Sequence, residues 1–213
     1  MFQNLKESLL HISIPSDHAK GCKSLNQYIN AKFYCNEETY NAIPIRENSK
    51  VCIKEGKPIE LCSFKVMPFE VYHDAQNFNY LIMHKPTGLK ILYITDTSNV
   101  DNLHFKDIDV FIVEANWDED WEVKEDDYVK YTRTSSEVGH LSLQDTISFL
   151  KKNMNINTKK VFLTHISYES TNYISFEEKA RSELNFEEIY AINPKVIQSR
   201  EFILHEDLDF NFE

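Results

Sequence analysis

Residues 9–21 read Leu9-Leu10-His11-Ile12-Ser13-Ile14-Pro15-Ser16-Asp17-His18-Ala19-Lys20-Gly21. An apolar run ends at a turn through Pro15. An acid and a histidine then stand side by side where a helix can start. Strand ends that face a crevice are where α/β proteins place their chemistry. The pattern returns downstream. Phe69-Glu70-Val71-Tyr72 leads into His73, Ile91-Leu92-Tyr93-Ile94-Thr95 into Asp96, and Val161-Phe162-Leu163-Thr164 into His165. Four apolar strands thus each deliver His or Asp at the carboxyl end, the usual nitrogen and oxygen ligands of zinc, iron or manganese.

Outward from that stretch, Asp17 or Ser16 caps a helix reaching about Ile29, with Ala19, Cys22, Leu25 and Ile29 on a helical period. Residues 31–35 read as a strand, and Asn36-Glu37-Glu38 opens a short helix ending before Pro44. Residues 50–54, 59–72, 80–84 and 90–95 read as strands, separated by turn signals at Gly56-Lys57-Pro58 and Pro86-Thr87-Gly88. That predicts an antiparallel meander. Residues 109–114 form another apolar strand. Residues 117–137 are acidic and aromatic without a clear period. Ser142 starts a helix, residues 160–164 form a strand, and Ser175-Phe176-Glu177-Glu178 reads as a capping box. Residues 188–191 and 196–204 read as edge strands, followed by an acidic tail. Strands alternating with helices favour α/β.

Composition narrows the function classes. The chain has 213 residues, 42% hydrophobic, which suits one domain over residues 1–213. Its formal net charge of −11 disfavours non-specific nucleic-acid binding, which rests on Lys and Arg. A metal-centred site escapes that objection, because the ion supplies the positive charge. Four glycines leave no Gly-rich phosphate loop. The four cysteines show no Cys-x-x-Cys pair, so free thiols in a reducing compartment are the plainer reading. No run approaches the ~18 apolar residues of a membrane span, and residues 1–6 lack a signal-peptide core. The expected location is the cytoplasm, with no membrane partner.

Taken singly, each candidate has an ordinary reading. Asp17 is a helix N-cap, Asp96 a turn residue, and His18, His73 and His165 are histidines satisfied by backbone groups. All five falling at the same kind of strand end weakens those separate readings. The set, with Val113-Glu114-Ala115-Asn116, Gly139-His140-Leu141-Ser142 and Leu163-Thr164-His165-Ile166-Ser167, resembles the metallo-β-lactamase-fold hydrolases, and among them the bacterial exonuclease-like and RNase Z-like branch. The resemblance runs from about Leu9 to Pro194.

It implies a metallo-β-lactamase-like αββα sandwich, of mixed and mostly antiparallel sheets, lacking part of the amino-terminal sheet. Carried over position by position, the metal ligands are Asp17, His18, His73, Asp96 and His165. Asp17 and His140 carry catalysis, His140 as general acid or phosphate contact. The two leading histidines of the family's His-x-His-x-Asp-His motif fall on Ser13 and Pro15, and the Glu-Ala-Asn stretch continues with Trp117-Asp118 instead of His-Asp. The resemblance thus implies one divalent transition metal, zinc or manganese, and at most two. The implied function is hydrolysis of phosphodiester bonds in nucleic-acid ends or in small or cyclic nucleotides, mononuclear and weak. The alternative is a non-catalytic homologue that binds or regulates. An uncovered edge at residues 9–14 points to self-association, to a partner over that strand, or to the strand at 196–204 folding back onto it.

Overall fold

The computed structural model describes residues 16–28, 31–73, 76–120, 139–167 and 173–192, without the side chains of 16–20 and 173. The expected strands at residues 9–14 and 196–204, and most of the stretch 117–137, lie outside the described residues.

The elements in chain order are α1 (Ser16–Tyr28), β1 (Phe33–Cys35), α2 (Glu37–Ala42), β2 (Lys50–Cys52), β3 (Ile59–Leu61), β4 (Phe64–Glu70), β5 (Phe78–His84), β6 (Lys90–Ile94), β7 (Val110–Glu114), α3 (Leu143–Asn153), β8 (Lys160–Thr164), α4 (Tyr173–Leu184) and β9 (Ile189–Ala191). Strands β3 to β9 form one sheet in sequence order, and β1 and β2 pair as a second small sheet.

Alternation along the strands sorts the core into layers. Phe33 and Cys35 turn one face of β1 toward Cys22 and Leu25 of α1 and toward Tyr40 and Ile43 at α2. Tyr34 and Val51 turn the other face onto Leu61, Val66, Phe78 and Tyr80 of the large sheet. On the far side of that sheet, Leu92, Ile94, Phe111, Val113, Val161 and Leu163 pack beneath Ile147 and Leu150 of α3 and Phe176 and Ala180 of α4. Helix, small sheet, large sheet and helix stack in that order, as expected for an αββα sandwich. Period-2 alternation in the strands is what lets one sequence serve two interfaces.

The sheet corrects the expected strand directions. β3, β4, β5 and β6 pair antiparallel, the predicted meander, whereas β6–β7, β7–β8, β8–β9 and β1–β2 pair parallel. Four of the seven pairings among the described residues are thus parallel, where mostly antiparallel sheets were expected. The reason is connectivity: α3 lies between β7 and β8, and α4 between β8 and β9, and a helical crossover returns the chain in the same direction. The expected continuous strand over 59–72 is a hairpin, turned at Cys62, whose φ of 49° lies in the left-handed region. Helix α4 begins at Tyr173, so Ser175 sits in its first turn and not at a cap. Ser142 does cap α3, accepting a hydrogen bond from Asp145 N at 3.0 Å. Asn36 caps α2 through Thr39 N at 2.8 Å.

These directions position the site. β4 and β6 are both antiparallel to β5, and β6, β7 and β8 are parallel. The carboxyl ends of β4, β6, β7 and β8 therefore emerge at one edge of the sheet.

Candidate metal centre

Four strand ends meet at that edge. His73 follows β4, Asp96 follows β6, Glu114 closes β7 and His165 follows β8. His140 arrives from the segment before α3. That segment is laced to the end of β7: Asn116 N donates to Leu141 O at 2.9 Å, Leu143 N to Trp117 O at 2.7 Å, and the Trp117 indole N–H to His140 O at 3.1 Å.

Glu114 is fully buried and organises the cluster. Its Oε1 lies 2.6 Å from His140 Nδ1 and 2.8 Å from His165 Nδ1, and its Oε2 accepts the Thr97 N–H at 3.1 Å. Burial pushes the Glu114 carboxyl up, but the hydrogen bonds from His140 and His165 outweigh it and hold the group down at about 2. An ionised carboxylate facing both Nδ1 atoms keeps the proton on Nδ1 of each ring and leaves each Nε2 for other work. Carboxylates that orient metal-binding imidazoles act in this way.

The His140 ring centroid lies 4.9 Å from that of His165 and 5.9 Å from that of His73. His165 Nε2 faces Asp96 Oδ1 at 3.5 Å. One donor atom each from His73, Asp96 and His140 lie within 4.8 Å of one another, as do donors of Glu114, His140 and His165. Two imidazoles and a carboxylate suit zinc, manganese or iron. Donors sharing one ion at bonds of ~2.0–2.2 Å stand about 3–4 Å apart, so closure by about an ångström suffices for the His73, Asp96 and His140 group.

Asp96 and His165 both hold positive φ, 52° and 54°. Buried asparagines fix both turns. Asn77 Nδ2 donates to Thr95 O and Asp96 O at 3.2 and 3.0 Å, and Asn79 Oδ1 accepts Thr95 N at 2.6 Å. Asn116 Nδ2 donates to His165 O at 2.7 Å.

Of the residues expected from sequence, the structure brings His73, Asp96, His140 and His165 together. Asp17 and His18 fall in the first turn of α1, but their side chains lie outside the described residues. Ser13 and Pro15 lie outside them altogether. Glu114 was missing from the expected ligand and catalytic set. Its signals were its place in the Val113-Glu114-Ala115-Asn116 stretch and a carboxylate ending the otherwise apolar run Val110-Phe111-Ile112-Val113. Trp117 and Asp118 follow the rim: Lys179 Nζ donates to Asp118 at 3.0 Å, and Gln144 Nε2 to the same oxygen at 2.6 Å.

Comparison with known proteins agrees with this architecture. The Beta-lactamase superfamily domain matches residues 10–166, and the chain belongs to that family. Its fold family typically binds divalent metals. The chain is 27% identical over 171 residues to the exodeoxyribonuclease YycJ of Bacillus anthracis, covering 73% of this chain and 62% of that protein. It thus spans about three fifths of the length of that relative. The metallo-beta-lactamase fold protein YhfI from Bacillus subtilis superposes with a TM-score of 0.69 at 14% identity, covering 88% of this chain and 74% of that one. The short form of human tRNase Z superposes with a TM-score of 0.56 at 17% identity, covering 88% and 76%. The chain is therefore a metallo-β-lactamase-fold hydrolase family member with nuclease relatives. No helix among the described residues is long and apolar enough to cross a membrane.

Proposed function

We propose that the protein is a metal-dependent phosphodiesterase acting on nucleic-acid ends or on small nucleotides, cyclic ones included. The observation that carries this reading is the convergence of His73, Asp96, His140 and His165 around buried, ionised Glu114. The nuclease names of the relatives support the substrate class.

In this reading Asp17, His18, Asp96 and His165 would hold one divalent ion, zinc or manganese, with His73 beside it as the remaining ligand of a second, incomplete half-site. Such an ion supplies Lewis-acid stabilisation of the charge developing on a phosphoryl oxygen. His140 acts on the leaving group. Glu114 holds its Nδ1 proton, so Nε2 is the atom left for substrate; the imidazolium form, with a second proton on Nε2, gives that proton to the departing oxygen and returns to the neutral ring. Asp96 Oδ1 and the Asn77 and Asn79 clamps keep the carboxylate in register with the imidazoles, so no rearrangement is needed as charge develops. The chain works as one domain in the cytoplasm and associates with a second copy or a partner.

A second reading, a homologue that binds without hydrolysis, is favoured by Ser13 and Pro15 at the positions of two family ligands. The test is metal content by mass spectrometry, with hydrolysis of a single-stranded oligodeoxynucleotide and of bis-p-nitrophenyl phosphate. Turnover that needs the ion and is lost in His140→Ala supports the phosphodiesterase. One bound ion without turnover of either substrate supports the second reading, and no bound ion refutes the first.

A further inference from the structure

Resting on the phosphodiesterase reading, we propose that Tyr72 is the stacking surface for the base next to the cleaved phosphate, so that the site prefers a base-bearing single strand to a bare phosphodiester. Tyr72 is 68% exposed. Lone exposed aromatics are ordinary on protein surfaces; position sets this one apart. Of the exposed large hydrophobic side chains Tyr28, Tyr72, Ile156 and Ile174 among the described residues, Tyr72 alone adjoins a residue of the cluster, His73.

Its backbone is tied to the site's own loop. Ser98 N, two residues beyond Asp96, donates to Tyr72 O at 3.1 Å, and Val71 N donates to Asn77 O at 3.4 Å, the Asn77 that clamps Asp96. The tyrosine therefore stands on a fixed base at the rim, one residue from His73, with its ring in solvent. A fixed aromatic platform stacks on any base, because every base has a π-face.

Charge supplies the second argument. A net charge of −11 disfavours drawing a polyanion by neutralising phosphates along the surface. That shifts the weight of affinity for a nucleic-acid end onto the ion at the site and onto uncharged contacts. Stacking is such a contact, worth ~1–3 kcal/mol per base, or about 5- to 100-fold in Kd at 1.4 kcal/mol per tenfold. The same reasoning gives a shallow dependence of binding on salt.

The experiment is a fluorescence titration of the metal-loaded protein. One probe is a short single-stranded oligodeoxynucleotide with phosphorothioate linkages and 2-aminopurine near its end. A matched strand, abasic at that position, competes against it. Wild-type protein is expected to quench the 2-aminopurine and to prefer the base-bearing strand. Tyr72→Ala should weaken that strand about 5- to 100-fold and leave the abasic strand unchanged, and Tyr72→Trp should restore binding. As the side chain is exposed, the Ala variant should melt as wild type does. Equal weakening of both strands, or no weakening of either, overturns the role of Tyr72 while leaving the phosphodiesterase reading in place. Wild-type protein that binds neither strand overturns the nucleic-acid reading and this inference with it.

Discussion

Replacing Glu114 by Gln should cost about 3 kcal/mol of stability in the metal-free protein and disorder both imidazoles. Oε1 lies 2.6 and 2.8 Å from the Nδ1 atoms of His140 and His165 and Oε2 takes the Thr97 N–H, so with the proton on each Nδ1 the hydrogens point inward. A glutamine has one oxygen. Turned toward the histidines, it sets its NH2 against the Thr97 N–H; turned the other way, it sets the NH2 against two Nδ1–H groups. While Nδ1 keeps its proton on both rings, a donor faces a donor in either orientation, in a site with no solvent access to Glu114. Hydrogen bonds to a charged group are worth about 1.5–3 kcal/mol each. The same contacts hold the carboxyl at about 2 instead of 4.5, which corresponds to about 3 kcal/mol at neutral pH. The assay is urea unfolding after chelator treatment, followed by tryptophan fluorescence, with wild type and variant extrapolated linearly. The folded carboxyl is depressed, so its contribution is fully present above about pH 4.5 and is lost as the pH falls toward 2. The gap between wild type and Glu114→Gln should therefore be widest near neutrality and shrink from pH 4 to 3. A loss below about 1 kcal/mol at pH 7, or a gap that does not change with pH, would refute the account of Glu114 as an ionised double acceptor.

Asp96→Ala removes the carboxylate shared by the His73–His140 group and His165, and metal content after dialysis should fall to background; His73→Ala should retain more, and equal loss would contradict a shared role for Asp96. Burial raises the Asp118 carboxyl, but Gln144, the Asp120 amide and Lys179 hold it below its usual value. Asp118→Asn should cost about 1–3 kcal/mol in a thermal melt at neutral pH, a cost that fades as the pH falls below the usual aspartate range. Cys62→Gly in the β3–β4 turn should stabilise by up to about 1 kcal/mol, since the left-handed penalty of ~1–2 kcal/mol exceeds the entropic cost of glycine; a lower melting temperature would show that the Cys62 side chain makes a contact worth more than the strain.

Much of the site was legible because its residues end apolar runs. Ile91–Ile94 and Val161–Thr164 are recognisable as buried strands, and a polar residue just past such a run must sit at a sheet edge. Which edge was a matter of direction, and direction depends on connections. A helix start at Ser142 already implied a crossover, and with it a parallel pair, which the expectation of mostly antiparallel sheets left out. Glu114 was illegible for a different reason. A glutamate ending a strand reads as the point where the chain reaches solvent, and only the arrival of His140 and His165 from distant segments makes it a buried acceptor. Asn77 and Asn79 belong to no motif of the sequence, and Asn116 stands only in the Val113-Glu114-Ala115-Asn116 stretch. Their work is on backbone carbonyls and amides up to 49 positions away, which no local pattern encodes.

Those asparagines explain how the edge keeps its geometry. A non-glycine residue in the left-handed region costs roughly 1–2 kcal/mol, and the cluster carries two, Asp96 and His165. Strained positions persist where the surroundings over-determine them. Here each turn has its own clamp: Asn77 on the carbonyl of Asp96, and Asn116 on the carbonyl of His165. Asn116 also passes its own carbonyl to Ser167 N at 2.8 Å, and Ala115 N bonds Thr164 O at 3.0 Å, so the β7 and β8 ends are stitched past the last ladder pair. Without the left-handed turns, the chain would run on along the strand direction and carry the carboxylate and imidazole away from each other. The strain therefore aims Asp96 and His165 across the 3.5 Å between them, and the buried amides make that aim a property of the folded chain.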